Sequence, residues 1–397
     1  MHSIGVYIHI PFCVQKCVYC DFLSGPATRQ RQQEYVDALL REIAWESKHY
    51  TEYVIKTIFF GGGTPSILEA EEIAKILDCL RKHYRIDAKA EITLEMNPGT
   101  VDRKKLLKLK NSGINRLSIG LQSANNAELQ MLGRIHTYED FLQTYCQAKE
   151  IGFANINIDL MSALPDQHMK SWIRTLEKVV ALQPEHISAY SLIIEAGTQL
   201  YNNRDAWGSV PDEDEDRQMY QETKRILAEH GYHRYEISNY AKAGYECKHN
   251  CIYWQRGVWH IADFVGFGLG AGSTVGNRRW ENTDNMQRYL SVFQKHNANL
   301  YDSRLTDNNT VGESVKEAVA ILLDVEQMEE FMFLGLRMME GVSKQEFTES
   351  FAKDMDAMYG DALQKWIQLR MMVQSGDTVR LTDAGIDVSN IVLSSFV

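Results

Sequence analysis

Three cysteines near the start of the chain have the spacing of metal ligands. Cys13, Cys17 and Cys20 form a Cys-x3-Cys-x2-Cys pattern directly after a strand-like run. Soft thiolates select zinc, copper(I) or iron–sulfur clusters, whereas a structural zinc site takes four ligands, usually in closely spaced pairs. No close fourth cysteine follows, and three thiolates on an iron–sulfur cubane leave one iron open to a further ligand. The pattern favours such a cluster; a zinc site completed by His9 or a more distant residue, and three buried free thiols, are the alternatives.

A glycine-rich loop, FGGGTPS at residues 60–66, follows the next strand-like run. Glycines allow a tight turn and let backbone amides approach a ligand. The loop lacks the lysine of a phosphate-binding P-loop, and a plain tight turn would need no ligand at all. Its position predicts a strand–loop–helix junction, where barrels and open sheets bind their ligands.

Polar residues occur at the ends of three later strand-like runs. Glu95 lies in LEMNP, Gln122 in RLSIGLQS and Asp159 in NIDLMSALP. A polar side chain in an apolar strand is costly unless it is paired, and the carboxyl ends of parallel strands carry site residues. We therefore expect these side chains at one site, although each alone could be satisfied by a hydrogen bond inside a barrel.

A second group of chemically capable residues lies in ECKHNCIYW, residues 246–254. A histidine or cysteine can ligate heme iron, and nearby aromatic rings can stack on the macrocycle. Cys247, His249 and Cys251 fall within what we predict to be one strand or turn. The alternative is a packing role at a barrel mouth, with His249 hydrogen-bonded to close the site.

The elements that would position these residues alternate regularly in the first half of the chain. The strand-like runs are residues 4–10, 54–60, 90–96, 115–119, 155–160 and 186–192, and the helix-like segments between them are 30–47, 70–80, 103–111, 138–151 and 170–182. Strands separated by helix-length segments predict parallel βαβ units. Six such repeats fit either a partial barrel or an open doubly wound sheet.

The rhythm stops after residue 200. An acidic run at 211–216 leads into a predicted helix at 216–230, where acidic residues near the N-terminus suit the helix dipole. From about residue 326 the pattern is helical, with a strand-like pair around 371–381, as in a winged-helix-like domain. We predict a barrel core over 1–200, a capping and heme-binding segment over 201–300, and a C-terminal, mostly helical domain over 301–397.

Composition restricts the class of protein. The 397 residues are 44% hydrophobic and 24% charged, with a net charge of −11, which argues against bulk electrostatic binding to nucleic acid or to an anionic membrane. No run is long enough to span a membrane, and no targeting segment is recognisable. The odd number of seven cysteines predicts reduced thiols or metal ligands, and we expect a cytoplasmic protein.

Together these motifs resemble the radical S-adenosylmethionine (SAM) superfamily, and within its HemN-like branch the HemW-type heme chaperones. The matching segments are YIHIPFC, CVYCDF, FGGGTPS, LEMNP, RLSIGLQS, LGRIH, NIDL with its following LP, YEISNYA and HNCIYW. The resemblance implies an α/β fold with a partial (β/α)6 barrel in which Cys13, Cys17 and Cys20 bind a 4Fe–4S cluster. It also implies a set of SAM contacts: Tyr7, Gly62, Gly63, Thr64, Glu95, Gln122, Arg134 and Asp159. Of these, Arg134 rests on the resemblance alone. His249, already a candidate from its residue type, lies in HNCIYW, which the resemblance makes the candidate heme-ligating segment.

The resemblance implies a chaperone that carries heme as cargo to respiratory-chain proteins. An oxygen-independent coproporphyrinogen III dehydrogenase or a radical SAM methyltransferase is the alternative. True coproporphyrinogen dehydrogenases have a further cysteine where this chain has Phe22, and a long N-terminal extension, whereas six residues precede Tyr7 here. Ala163 stands where HemW-type chains usually have glycine, a small-for-small change. A homodimer and peripheral contact with a membrane are compatible with the resemblance.

Overall fold

The computed structural model describes residues 1–203, 207–294 and 312–397. The predicted alternation of strands and helices is confirmed. The six core strands are β1 (His2–Ile10), β2 (Tyr53–Gly62), β3 (Arg85–Met96), β4 (Arg116–Gln122), β5 (Ile156–Ser162) and β6 (His186–Ser191). Each pairs in parallel with the next, in the spatial order β1-β2-β3-β4-β5-β6. Because a doubly wound sheet reverses its strand order at a switch point, this sequential order supports the partial barrel.

Helices cover the outside of this sheet. They are α1 (Arg29–Glu46), α2 (Ala70–His83), α3 (Arg103–Ser112), α4 (Asn126–Met131), α5 (Tyr138–Ile151) and α6 (Met169–Ala181). Their ends follow from local sequence: Thr137 and Asp140 form a capping box at the start of α5, and Gly152 ends it in the left-handed conformation. The observed bounds lie within a few residues of the predicted ones.

Side chains alternate between the two faces of each core strand. Those that point outward are apolar and fully buried under the helices, among them Ile8, Ile58, Leu94, Ile119 and Ile158. Those that point inward are largely polar, and they line the lumen of the partial barrel. The outward apolar side chains therefore pack the strands against the helices, and the inward polar side chains are the ones that can bind a ligand in the lumen.

Further strands extend the sheet at both edges: β7 (His233–Arg234), β8 (Asn239–Ala241), β9 (Phe264–Phe267), β10 (Gly272–Val275), β11 (Arg278–Asn282) and β12 (Lys316–Ile321). The helices of this part of the chain are α7 (Gln199–Asn202), α8 (Glu213–Glu229), α9 (Lys248–Trp254) and α10 (Met286–Gln294). β9 pairs in parallel with β1, and β8 pairs antiparallel with β6. The acidic run begins α8, where Asp212 caps the helix by accepting a hydrogen bond from Glu215 N.

The C-terminal part has its own apolar core, which includes Phe331, Phe347, Leu363, Val379 and Phe396. Its elements are α11 (Asp324–Gly335), β13 (Val342–Ser343), α12 (Lys344–Phe351), α13 (Met355–Gln368), β14 (Met372–Ser375), β15 (Thr378–Leu381), α14 (Asp383–Asp387) and α15 (Ser389–Leu393). Helices beside a small three-stranded sheet, β13-β15-β14, give the winged-helix-like arrangement expected. The predicted boundary at residues 300 and 301 lies outside the described residues.

Searching the described helices for a stretch both long and apolar enough to cross a bilayer yields none.

Candidate cluster and cofactor site

The cysteine loop begins where β1 ends. Cys13 is buried, Cys17 and Cys20 are partly exposed, and all three thiols are free. Backbone hydrogen bonds from Cys13 N to Gly25 O (3.1 Å) and from Cys20 N to Cys17 O (3.2 Å) hold the loop. Burial is the main cause that raises the pKa of Cys13, and the neighbouring Cys20 and Cys17 add to it. The loop thus brings the three predicted ligands into one region at the carboxyl end of β1.

A small cleft lies beside this loop and is lined in part by Cys13, Cys17, Thr64, Asn97 and Arg134. Among the residues with described positions, no three His, Cys, Asp or Glu side chains are grouped closely enough to hold a single metal ion. The prediction that Cys13, Cys17 and Cys20 hold a cluster, with zinc as the alternative, stays a prediction.

The glycines of the FGGGTPS loop are required by close packing. Gly62 has φ +110°, and a Cβ there would lie 2.6 Å from the ring of His9. A Cβ on Gly63 would lie 2.6 Å from the carbonyl oxygen of Phe12, immediately before the first cysteine. The FGGGTPS loop can therefore pack against β1 and the cysteine loop only if Gly62 and Gly63 lack a side chain.

The backbone amides of this loop have partners within the protein. Gly63 N donates to Ile10 O (2.9 Å), and Thr64 N donates to Phe12 O (2.7 Å). Gly62 N donates to Glu95 Oε2 (3.2 Å). In this conformation the amides donate to Glu95, to the end of β1 and to Phe12, and the prediction that the loop meets a ligand stays a prediction. Carbonyl groups and side chains remain to meet a ligand.

Arg134 connects the cysteine loop to the strands. Its Nη2 donates to Asn97 Oδ1 and to Gly120 O, both at 2.6 Å, and its Nη1 lies 3.8 Å from Cys17 Sγ. Asn97 in turn donates to Thr64 Oγ1 at 2.8 Å. Arg134 therefore places a positive charge beside one of the three predicted ligands. The structure thus gives Arg134 a place at the site that its sequence position alone did not indicate.

Glu95 and Asp159 place two carboxyl groups in the upper lumen. Burial raises the pKa of Glu95 to about 8, and the nearby Asp159 adds to the shift. Burial also raises the pKa of Asp159, although Asn157 Nδ2 donates to it at 2.7 Å and Ser118 Oγ donates at 3.1 Å. A raised pKa means that Glu95 is largely protonated at pH 7 until a cation approaches it.

Tyr7 and Gln122 complete the set predicted for SAM. The hydroxyl of Tyr7 donates to His9 Nδ1 (3.0 Å), because His9 Nε2 donates to the carbonyl of Leu23 (2.9 Å) in the cysteine loop. Gln122 ends β4 with a φ of 71°, and its Oε1 accepts from the hydroxyl of Tyr190 (3.3 Å). Positive φ in a residue with a side chain is uncommon and marks a locally strained position.

Two residues of this region, Asn97 and Tyr190, were missed in the sequence, and His9 was considered only as a possible zinc ligand. Asn97 follows Glu95 in LEMNP and joins Arg134 to Thr64. His9 is the next inward residue after Tyr7, and Tyr190 is the inward residue near the end of β6. Alternation along each strand could have identified His9 and Tyr190. The role of Asn97 depends on a contact distant in the sequence, which no local pattern shows.

The segment that contains His249 is the helix α9, so the prediction of a strand or turn is wrong. The reason is a tertiary cap: the carboxylate of Glu91, on β3, accepts from Lys248 N (3.2 Å) and His249 N (3.1 Å). The Sγ of Cys247 also lies 3.5 Å from this carboxylate. A buried carboxylate at a helix N-terminus satisfies amides that the helix itself leaves free.

His249 lies deep in the lumen, below the residues predicted for SAM. It is 1% exposed and stacks on Phe59 at a ring distance of 5.1 Å. Its Nδ1 is 2.7 Å from Thr57 Oγ1, and its Nε2 is 2.9 Å from the hydroxyl of Tyr253. Burial lowers the pKa of His249 to about 3, with a smaller effect from the charge of Arg116. In this conformation both ring nitrogens are engaged, and α9 closes the lower end of the lumen.

Comparison with known proteins gives consistent results. The sequence pattern of the radical SAM superfamily matches residues 7–179, and that of the HemN C-terminal domain matches residues 324–388. The chain is 35% identical to the heme chaperone HemW of Bacillus subtilis, over 99% of this chain and 98% of that protein. It is 33% identical to the heme chaperone HemW of Lactococcus lactis, over 99% and 97% of the two chains.

A solved structure has the same architecture over the whole chain. The coproporphyrinogen III oxidase HemN from Escherichia coli, described as a radical SAM enzyme, superposes with a TM-score of 0.83 at 22% identity. The superposition covers 100% of this chain and 90% of that one. At this level of identity the likeness establishes the fold. The near full-length matches to curated relatives go further, and the chain belongs to the HemW family of the radical SAM superfamily.

Proposed function

We propose that this protein is a heme chaperone of the radical SAM type, which binds heme in the cytoplasm and delivers it to respiratory-chain proteins. The observation that carries the proposal is the match of 33–35% identity, over nearly the full length of both chains, to proteins named heme chaperone HemW. A match of this extent includes the cysteine loop, the lumen and the C-terminal domain together.

The cysteine loop is proposed to hold a 4Fe–4S cluster through Cys13, Cys17 and Cys20. Support comes from the free state of all three thiols and from the cleft that Cys13 and Cys17 share with Arg134. A cluster held by three thiolates supplies a redox-active iron centre with one coordination site for SAM. Arg134 places a positive charge 3.8 Å from Cys17 Sγ, and the buried position of Cys13 restricts the access of water.

The upper lumen is proposed to bind SAM through the residues predicted for it. Tyr7, Gly62, Gly63, Thr64, Glu95, Gln122, Arg134 and Asp159 would form this set. Glu95 and Asp159, once ionised, would supply negative charge to a cationic ligand such as SAM. Because Glu95 has a pKa of about 8, an approaching cation would drive off its proton and fix the ionised form.

The lower lumen is proposed to supply His249 as a heme ligand. Burial keeps its imidazole neutral, which is the form that coordinates iron. Coordination through Nε2 requires that Tyr253 release its hydrogen bond of 2.9 Å. Because His249 and Tyr253 both lie on α9, rotation of one of these two side chains would be enough to free Nε2.

Anaerobic reconstitution followed by three assays on one sample tests the proposal. We expect iron with labile sulfide, a saturable Soret shift on heme titration, and no conversion of coproporphyrinogen to protoporphyrinogen with SAM and reductant. Protoporphyrinogen formation would instead establish the dehydrogenase, and methyl transfer would establish a methyltransferase. Zinc without sulfide, or the absence of saturable heme binding, would refute the chaperone. Gel filtration before and after reconstitution tests the predicted homodimer.

A further inference from the structure

The inner face of β4 carries an arginine that the proposed cluster and SAM sites do not use. Arg116 is 2% exposed and begins β4. In the parallel register its neighbour on β3 is Thr93, which is 0% exposed. Leu94 and Leu117, next in sequence, pack outward against the helices, so alternation directs Arg116 and Thr93 into the lumen.

Both side chains keep polar atoms without a partner. Arg116 Nε and Thr93 Oγ1 are buried and make no hydrogen bond within the described part of the chain. The acidic groups that act on Arg116 through space are Glu91 and Asp159. Glu91, however, caps α9, and Asp159 accepts from Asn157 and Ser118. Buried polar groups are normally paired, so two adjacent exceptions call for a ligand.

The surroundings of Arg116 indicate the chemistry of that ligand. Burial raises the pKa of Cys247 and of Tyr235, so both stay uncharged at neutral pH. Burial lowers the pKa of His186 and of His249, so both are neutral as well. The guanidinium is a positive charge among neutral groups and two carboxylates that have other partners. The unpartnered Nε–H of this guanidinium matches a carboxylate oxygen, which accepts a charge-assisted hydrogen bond, and the Thr93 hydroxyl is a second free donor.

We propose that Arg116 and Thr93 form a carboxylate-binding site in the barrel lumen, which takes a carboxylate of a ligand enclosed by the barrel. The inference rests on the proposed function, because that function supplies two ligands with carboxylates. They are heme, through its propionates, and SAM, through its methionine moiety. The same pair of donors could bind either carboxylate. Measuring how the variants change the affinity for heme and for SAM shows which of the two ligands uses the site.

The test compares wild type, Arg116→Gln and Thr93→Val, titrated with heme, with heme dimethyl ester and with SAM. A propionate site predicts that Arg116→Gln loses roughly 10- to 100-fold in heme affinity. The ester, which lacks free carboxylates, should bind wild type and variant alike, and SAM affinity should be unchanged. A loss confined to SAM supports the same site with the methionine carboxylate as its ligand. Unchanged affinities for both ligands would overturn the proposal.

Controls separate binding from folding. Arg103→Gln removes an exposed arginine that pairs with Glu150 on the outer surface, and it should leave all three affinities unchanged. If Arg116→Gln fails to fold, Thr93→Val carries the test, because it keeps the volume and removes only the hydroxyl; we expect a loss of roughly threefold. If wild type binds SAM but not heme, the chaperone proposal is refuted. The SAM affinities of wild type and of the variants then still test the carboxylate-binding site. Wild type that binds neither refutes both.

Discussion

Both ends of the barrel lumen contain residues that can bind a metal ion or a cofactor. The two ends differ in whether these residues are already engaged in hydrogen bonds. At the upper end the thiols of Cys13, Cys17 and Cys20 are free, and Glu95 has a pKa of about 8, so a cation can still change its charge. At the lower end His249 is 1% exposed and has partners on both ring nitrogens. A motif identifies a residue that is able to bind. Its hydrogen bonds decide whether it binds as it stands or only after a rearrangement.

The largest effect is expected when the upper end loses its ligands. Replacing Cys13, Cys17 and Cys20 together by alanine should abolish iron incorporation, because alanine offers no soft ligand. Iron and labile sulfide are measured after anaerobic reconstitution. Cys146→Ala, which removes an exposed thiol on α5, is the matched control and should keep both. Equal iron content in the triple variant would mean that the cluster lies elsewhere.

A glycine substitution should break the contact between the two loops of the upper end. In Gly63→Ala the new Cβ would meet the Phe12 carbonyl at 2.6 Å, and overpacking of this kind costs about 1–3 kcal/mol. We expect a lower unfolding midpoint and reduced cluster occupancy. Gly25→Ala, where a Cβ meets nothing within 4 Å, should behave as wild type. A fully occupied, unshifted Gly63→Ala would show that the contact is dispensable.

The two ends should also differ in their response to pH. Glu95 is an acid with a pKa of about 8, so it is protonated below that pH, and its ionised form attracts cationic SAM. SAM affinity should therefore rise towards pH 8, by at most about tenfold per unit, and then level off. The variant Glu95→Gln should lose this rise in SAM affinity with pH, and it should keep any pH dependence that comes from the titration of SAM itself. His249, with a pKa of about 3, should add no inflection to heme binding above pH 5. Identical pH profiles for wild type and Glu95→Gln would contradict the role of Glu95.

The smallest effect is expected from loosening the lower end. Tyr253→Phe removes the hydroxyl that occupies His249 Nε2, so coordination no longer requires that this bond be broken. We expect a gain of roughly three- to tenfold in heme affinity by Soret titration, the worth of one hydrogen bond. Tyr245→Phe serves as a control that leaves His249 untouched. Weaker heme binding in Tyr253→Phe would indicate that the hydroxyl contacts heme, and no change would argue against His249 as ligand.

The fold could be predicted from sequence to the extent that local patterns determine it. The six core strands follow from short β-branched runs, and their helices follow from apolar spacing with local caps such as Thr137. The helix α9 could not be predicted in this way, because its cap is Glu91, which lies 158 residues before His249 in the chain.

The same distinction holds for the site. The clustering of cysteines and the strand-end carboxylates were visible as spacing and alternation. The link from Arg134 through Asn97 to Thr64 joins three separate segments, and the orphaned pair of Arg116 and Thr93 exists only once β3 and β4 are in register. The sequence therefore shows which residues are able to bind a metal ion or a ligand. Which hydrogen-bond partners each of them has depends on tertiary contacts between distant segments.

Mössbauer spectroscopy of protein reconstituted anaerobically with ⁵⁷Fe, recorded with and without SAM, tests the central claim most directly. The account predicts the spectrum of a 4Fe–4S cubane, in which SAM alters the signal of one iron while the other three stay unchanged. A spectrum without a cubane, or one in which SAM changes no iron, would contradict a cluster held by Cys13, Cys17 and Cys20 at the open end of the barrel.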